Sequence, residues 1–197
     1  MFVPRPCSTE GCGRPALSGS DFCIVHDPDP VALVRRLLTP REGRLVLQDL
    51  DLTGVRIDDA DLSGAVITGC RFTAATLRRV KLGGAQVTLS YLDRATLVDC
   101  GFDGASLVNT VLAGSYLQGC SFVDCEIVQV NFLGVHASAT RFDHSNLYGS
   151  RFIASLLEGV SMRDCNLLRT HFDASHRDTV DFHASNTAEA VFLEPLS

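Results

Sequence analysis

The sequence predicts a solenoid whose chain turns a corner every five residues, with a small cysteine-rich appendage at its N-terminus. Two observations predict the solenoid. Every fifth residue from Leu47 to Phe192 gives 30 positions, and 27 of them are Leu, Ile, Val, Phe or Met, where composition alone would give about nine or ten. Two residues upstream, the column from Leu45 to Ala190 is Ala, Ser, Cys, Thr or Val at all but its first two members. The large column has three exceptions, Ala137, Arg177 and Thr187, and the frame never slips. Neither a 3.6-residue nor a 2.0-residue period explains this pattern, so an amphipathic helix and a lone alternating strand both fail.

Composition sets the outer bounds. The 197 residues carry 23 acidic and 17 basic side chains, a formal charge of −6. That length suits one domain with a small appendage and can bury a real core. High apolar content with modest net charge excludes disorder. A mildly acidic chain is poorly suited to direct nucleic-acid binding, which relies on Lys and Arg neutralising phosphates. No apolar stretch approaches the roughly 20 residues of a membrane span. The opening Met1-Phe2-Val3-Pro4-Arg5-Pro6 lacks the apolar run of a secretory signal. The expectation is a soluble, cytoplasmic protein without membrane contact.

In chain order, the first element is the appendage, residues 1–28. It holds Cys7-x4-Cys12-x10-Cys23-x2-His26 among Gly, Ser and Pro. Three thiols and one imidazole suit a closed tetrahedral Zn²⁺ site, because thiolates are soft ligands and the Cys23–His26 pair forms a short chelate arm. The segment is too small to bury a core, so a metal would supply much of its folding energy. The rival readings are a disulfide with a spare cysteine, or inert thiols. With four protein ligands no position is left for substrate, so the expected role is structural.

Residues 29–44 come next, as a short capping helix and linker. Asp29 suits the N-cap and Pro30 the first helical position, and Pro40 ends the helix. Val31, Leu33, Val34, Leu37 and Leu38 are expected to lie over the first coil and hide its open end. Arg35, Arg36, Arg41 and Arg44 form a small basic cluster, read as a solvated face.

Residues 45–197 form the repeat. All nine Phe beyond residue 70 fall in the large column, and Cys70, Cys100, Cys120, Cys125 and Cys165 fall in the small one. Of 29 charged side chains after Leu45, only Arg177 falls in either column. Two columns therefore point inward and three outward. Stretches such as Ala60-Asp61-Leu62-Ser63-Gly64 and Ala105-Ser106-Leu107 resemble the motif of the pentapeptide-repeat family, which centres on Leu or Phe with Ala two residues before it.

The resemblance implies an all-β fold, a right-handed quadrilateral parallel β-helix with four pentapeptides per coil. Residues 20 apart would then stack, in about seven coils. At strand spacing the rod would be on the order of 35 Å long, with Phe rings stacking offset inside. Arg177 and Thr187 mark modified last coils, and Phe192-Leu193-Glu194-Pro195-Leu196 is placed to fold over the end or meet a second copy. Family members often dimerise there through a final helix, so a homodimer is among the expected assemblies, although only five residues follow Phe192.

No phosphate loop, nucleophile elbow or other catalytic motif is present, and no enzyme is expected. The five repeat cysteines read as small buried hydrophobes. The polar tail, His171, Asp173, His176, Asp178, Asp181 and His183, is divided among different sides and reads as surface. What remains is a candidate partner strip. Val108, Val128, Tyr148 and Leu168 form one outward ladder, and Ala113, Leu133 and Ile153 form another one side further round. The expected function is a non-catalytic protein-interaction scaffold with an unknown protein partner. The alternative, implied by the resemblance, is a DNA mimic that binds and inhibits or protects DNA gyrase or a topoisomerase. From Leu45 onward there are 18 acidic and 11 basic residues, but no face is uniformly acidic. The ladder Asp61, Lys81, Gly101, Ser121, Arg141, Ser161, Asp181 is one example of the mixture.

Overall fold

The computed structural model describes residues 5–40 and 43–193. The repeat is a parallel β-solenoid in which every rung lies 20 residues from the next. One five-stranded sheet stacks β1 (Val46–Gln48), β3 (Val66–Thr68), β5 (Gln86–Thr88), β7 (Ser106–Val108) and β9 (Glu126–Val128). On another side, β2 (Arg56–Asp58), β4 (Thr76–Arg78), β6 (Thr96–Val98), β8 (Tyr116–Gln118), β10 (His136–Ser138) and β11 (Leu156–Glu158) form a six-stranded sheet. Single-residue bridges make the other two sides, through Asp51, Arg71 and Tyr91 and through Asp61, Lys81 and Gly101. The longer sheet gives about six turns of strand pairing, near the seven expected. The remaining rungs are held by bridges such as His171 to Val191.

The corners explain the repeat length. Each pentapeptide spends three residues on a side, and at every corner from Asp49 to Ala184 except Thr179 the chain turns through a residue in the left-handed region, as at Asp49 (φ 51°), Asp59 (φ 56°) and Asn109 (φ 50°). Asp and Asn tolerate that region better than most residues, because their short side chains bond locally.

Inside, the large column behaves as predicted. Phe102, Phe122, Phe132, Phe142, Phe152 and Phe172 are fully buried. Rings one coil apart stack, with centroids 4.4 Å apart for Phe102–Phe122 and Phe132–Phe152 and 4.9 Å for Phe122–Phe142. The small column does more than make room. Most of its hydroxyls and thiols donate to the carbonyl 23 residues earlier, as in Ser150 Oγ to Ile127 O (2.9 Å) and Cys125 Sγ to Phe102 O (3.0 Å), while Ser90 and Ser115 donate locally to Thr88 O (2.9 Å) and Leu112 O (2.7 Å). Buried Ser and Thr are thereby satisfied, as a dry core requires.

Each of the three exceptions in the large column has a visible cause. Ala137 shares its coil with Phe132 and Phe142, whose rings meet edge to face at 5.9 Å and fill the interior beside it. Ala137→Leu is expected to overpack this coil and lower stability by about 1–3 kcal/mol, read from the urea midpoint. Arg177 lays its guanidinium over the Phe192 ring, 5.0 Å from the centroid, and Nη1 donates to Ser175 O at 3.1 Å. Thr187 opens a 3-10 turn, Thr187–Glu189, where a strand would otherwise stand. The last coils are therefore modified, as expected. Phe192 continues the column, stacking on Phe172 at 5.2 Å. Glu194, Pro195 and Leu196, assigned to closing the end, lie outside the described residues.

At the other end, helix α1 (Pro30–Leu37) has Asp29 as N-cap, accepting from the Ala32 N–H at 2.9 Å. Leu33 and Val34 are buried in the core of the first coils, and Leu37 and Leu38 pack against it. Val31 differs from the expectation: it is 62% exposed, because an open cleft of about 540 Å³ lies between its face of the helix and Arg56 to Leu62. Arg35 and Arg36 are exposed, Arg44 Nε donates to Gly64 O, and Arg41 lies outside the described residues.

Candidate metal centre and candidate partner surface

The appendage folds as tight turns that bring distant ligands together. Cys7 N–H bonds Arg14 O (3.0 Å), and Cys23 O accepts from the His26 N–H (3.0 Å) and the Asp27 N–H (2.9 Å). Cys7, Cys12, Cys23 and His26 each offer one ligand atom, and these atoms lie within 4.8 Å of one another. Cys12 Sγ and Cys23 Sγ are 3.9 Å apart, and His26 Nδ1 is 3.4 Å from Cys7 Sγ and 3.5 Å from Cys23 Sγ. A tetrahedral zinc with bonds of about 2.3 Å to S and about 2.0–2.1 Å to N has edges of about 3.8 Å for S···S and about 3.6 Å for S···N. The cluster fits that size, and all three thiols are free rather than disulfide-bonded.

Electrostatics favour a cation here. Burial opposes the Cys7 thiolate, but N–H groups of Cys23 and Thr9, the Thr9 hydroxyl and His26 outweigh it, and its pKa falls to about 5. Cys12 moves upward. A backbone bond from Arg14 favours its thiolate, yet burial and the neighbouring Cys23 and Cys7 sulfurs win. Thiolates crowded this way repel one another unless a metal lies between them. The four residues can hold a metal ion.

The cluster is tied to the rod. Leu17 is buried in the common core, Ser18 N–H donates to Asp51 O (2.9 Å), and Asp51 N–H donates to Ser18 Oγ (2.8 Å). Asp51 itself is buried, with Arg71 Nη1 3.8 Å from its Oδ2. This joint was not legible in the sequence, because Asp51 stands in an outward column that elsewhere meets solvent.

The repeat cysteines are all buried, and burial pushes the Cys70 and Cys165 thiols up to about 11 and Cys125 to about 12. The polar tail forms no metal-like group among the described residues. His171 Nδ1 lies 3.1 Å from Asp173 Oδ2, and Arg163 bonds Asp181 at 2.5 Å.

On the candidate strip, Leu133 and Leu168 are exposed, while Val108, Val128, Tyr148, Ala113 and Ile153 are half-buried. Val108 and Val128 are adjacent rungs of the five-stranded sheet. The ladders are not contiguous. Between them lies a polar cleft of about 300 Å³, lined chiefly by Asn109, Gln129, Asn131, Gly149 and Arg151. It opens because Gly149 (φ 65°) puts no side chain at the corner below Gln129. Following the corner residues at the 20-residue spacing, Asn109, Gln129, Gly149, Arg169, would have revealed it.

Four sides, five residues per side and a register of 20 define a pentapeptide-built β-solenoid. The model for pentapeptide repeats matches in eight copies, with matched stretches at residues 46–84, 56–94, 70–107 and 95–134. The chain belongs to the pentapeptide-repeat family. Its structure is similar to that of HetL, a pentapeptide repeat protein involved in heterocyst differentiation regulation in the cyanobacterium Nostoc sp. strain PCC 7120. The two are 12% identical, with 81% of this chain and 92% of HetL covered and a TM-score of 0.52. Full-length QnrB1, a plasmid-mediated fluoroquinolone resistance protein, is 16% identical over 73% of this chain and 93% of its own, with a TM-score of 0.33. Rfr23 from the cyanobacterium Cyanothece 51142 is 14% identical over 76% of this chain and 90% of its own, with a TM-score of 0.30. At 12% identity the likeness to HetL is one of fold. No curated protein sequence matches the chain.

Proposed function

We propose that the protein is a non-catalytic interaction scaffold: residues 1–28 form a zinc-stapled cap, residues 29–44 join it to the rod, and the repeat from 45 onward docks a protein partner. The observation that carries this reading is the pair of apolar ladders on neighbouring sides of the same coils. The sheets beneath them are hydrogen-bonded rung to rung, so the partly exposed ladders are pre-organised and binding costs little ordering of the backbone. The donor set at the cap, three thiols and an imidazole at tetrahedral spacing, supports structural zinc. No membrane-spanning helix is found among the described residues.

Val128→Asp with Tyr148→Asp tests the strip. Both side chains are outside the core, so circular dichroism and the urea midpoint are expected to change little. Capture of the partner, or self-association if the partner is a second copy, is expected to be lost. Unchanged binding by the double variant would remove the strip from the reading.

The alternative, a DNA mimic acting on gyrase or a topoisomerase, requires a face of regularly spaced free carboxylates. Here Arg79 bonds Asp59 at 2.6 and 2.8 Å and holds its carboxyl below the usual range, and Arg163 does the same for Asp181, after the His183 N–H. Salt separates the two readings: a charge mimic loses its target steeply as salt rises, whereas an apolar strip does not.

A further inference from the structure

We infer that the cleft between the two ladders recognises a carboxylate, so that the strip takes an extended protein segment in which an Asp or Glu is flanked by apolar side chains. This rests on the scaffold reading and gives its partner a chemistry. The inference comes from Arg151. It is exposed at the mouth of the cleft, and among the described residues its side chain has neither an ion pair nor a hydrogen bond.

The chain's own nearby charges are engaged elsewhere. Asp173 accepts from the Leu193 N–H at 2.9 Å and lies 3.1 Å from His171 Nδ1, and Glu126 accepts from Asn146 Nδ2 at 2.8 Å. Arg169 donates to the Tyr148 hydroxyl at 3.1 Å and lies over its ring. Arg151 is thus a cation left for an outside anion, on a chain whose net charge is negative.

The rest of the lining suits the same guest. Asn131 Oδ1 accepts from the Leu133 N–H at 2.9 Å, which leaves its NH₂ group as a donor toward the cleft. Gln129 and Asn109 add further amides. A guanidinium with amide donors beside it matches a carboxylate, which accepts in a bidentate manner. Tyr148 and Val128 on one flank and Leu133 and Ile153 on the other are placed for apolar neighbours of that acid.

Short randomised peptides displayed on phage and selected on the immobilised full chain test this. Enriched peptides are expected to carry Asp or Glu between apolar residues. A synthetic copy is expected to bind about tenfold or more weakly to Arg151→Glu, with affinity restored when its acid is changed to Lys. It is expected to lose binding to the Val128→Asp/Tyr148→Asp variant. Peptides that require Val128 and Tyr148 but bind Arg151→Glu unchanged would overturn the carboxylate and leave the strip standing. Peptides indifferent to both variants, or no enrichment at all, would overturn the strip as well.

Discussion

Cys23→Ser is expected to empty the metal site and unfold the cap while the rod stays intact. Cys23 sits at the centre of the cluster: its N–H bonds Cys7 Sγ at 3.3 Å, and its own Sγ faces both Cys12 and His26. Serine replaces a soft thiolate with a hydroxyl that is a poor zinc ligand. Structural zinc contributes on the order of 10–16 kcal/mol of apparent folding energy in small zinc-finger peptides, far more than this segment can recover from its few buried residues. The purified wild-type chain is expected to hold stoichiometric zinc by elemental analysis, and the variant little. Hydrogen exchange is expected to rise at Leu17, Ser18 and α1, since the Ser18–Asp51 bonds depend on the folded cap. Coils beyond Phe72 are expected to keep their protection, because a solenoid coil contacts only its neighbours. Full zinc in the variant, or a wild-type mass short by two hydrogens, would show that the thiols serve something else.

The fold was legible because inward positions obey two local rules, volume and absence of charge, at every turn. Phe122 and Phe142 announce a stack by recurring 20 residues apart. The grouping of Cys7, Cys12, Cys23 and His26 was legible for a different reason: ligand chemistry is narrow, and spacing within a short segment limits where such side chains can go. What the sequence hid are relations between columns. Helical periodicity groups Val31 with Val34 and Leu38 but does not show the cleft left between that face and the first coil, where Val31 stays exposed. Small inward residues announce only their volume, yet Ser150 and Cys125 satisfy carbonyls one coil back, which needs the register in hand. Asp51 is buried by a partner 33 residues away in sequence. Arg151 looks like any surface arginine until the missing side chain at Gly149 shows what it faces.

Phe142→Ala is expected to be among the costliest single changes in the rod, at about 3–5 kcal/mol. The ring is fully buried and central to the aromatic lattice. It stacks on Phe122 at 4.9 Å and meets Phe132 at 5.9 Å and Phe152 at 5.6 Å edge to face. Aromatic pairs contribute about 0.5–1.5 kcal/mol beyond the area they bury, so three such contacts vanish along with the transfer energy. The coil cannot collapse into the cavity. Strands above and below fix its width, and Ala137 beside it is already small. The urea midpoint is expected to fall clearly, and Phe142→Leu is expected to recover part of the loss by restoring volume. Because a solenoid need not unfold in one step, hydrogen exchange is the sharper readout. Protection is expected to drop in the coils containing Phe122, Phe142 and Met162 and to hold near Leu62. A uniform loss along the whole rod would mean that the coils unfold as one unit, and no loss at all would remove the stacked rings as the source of stability.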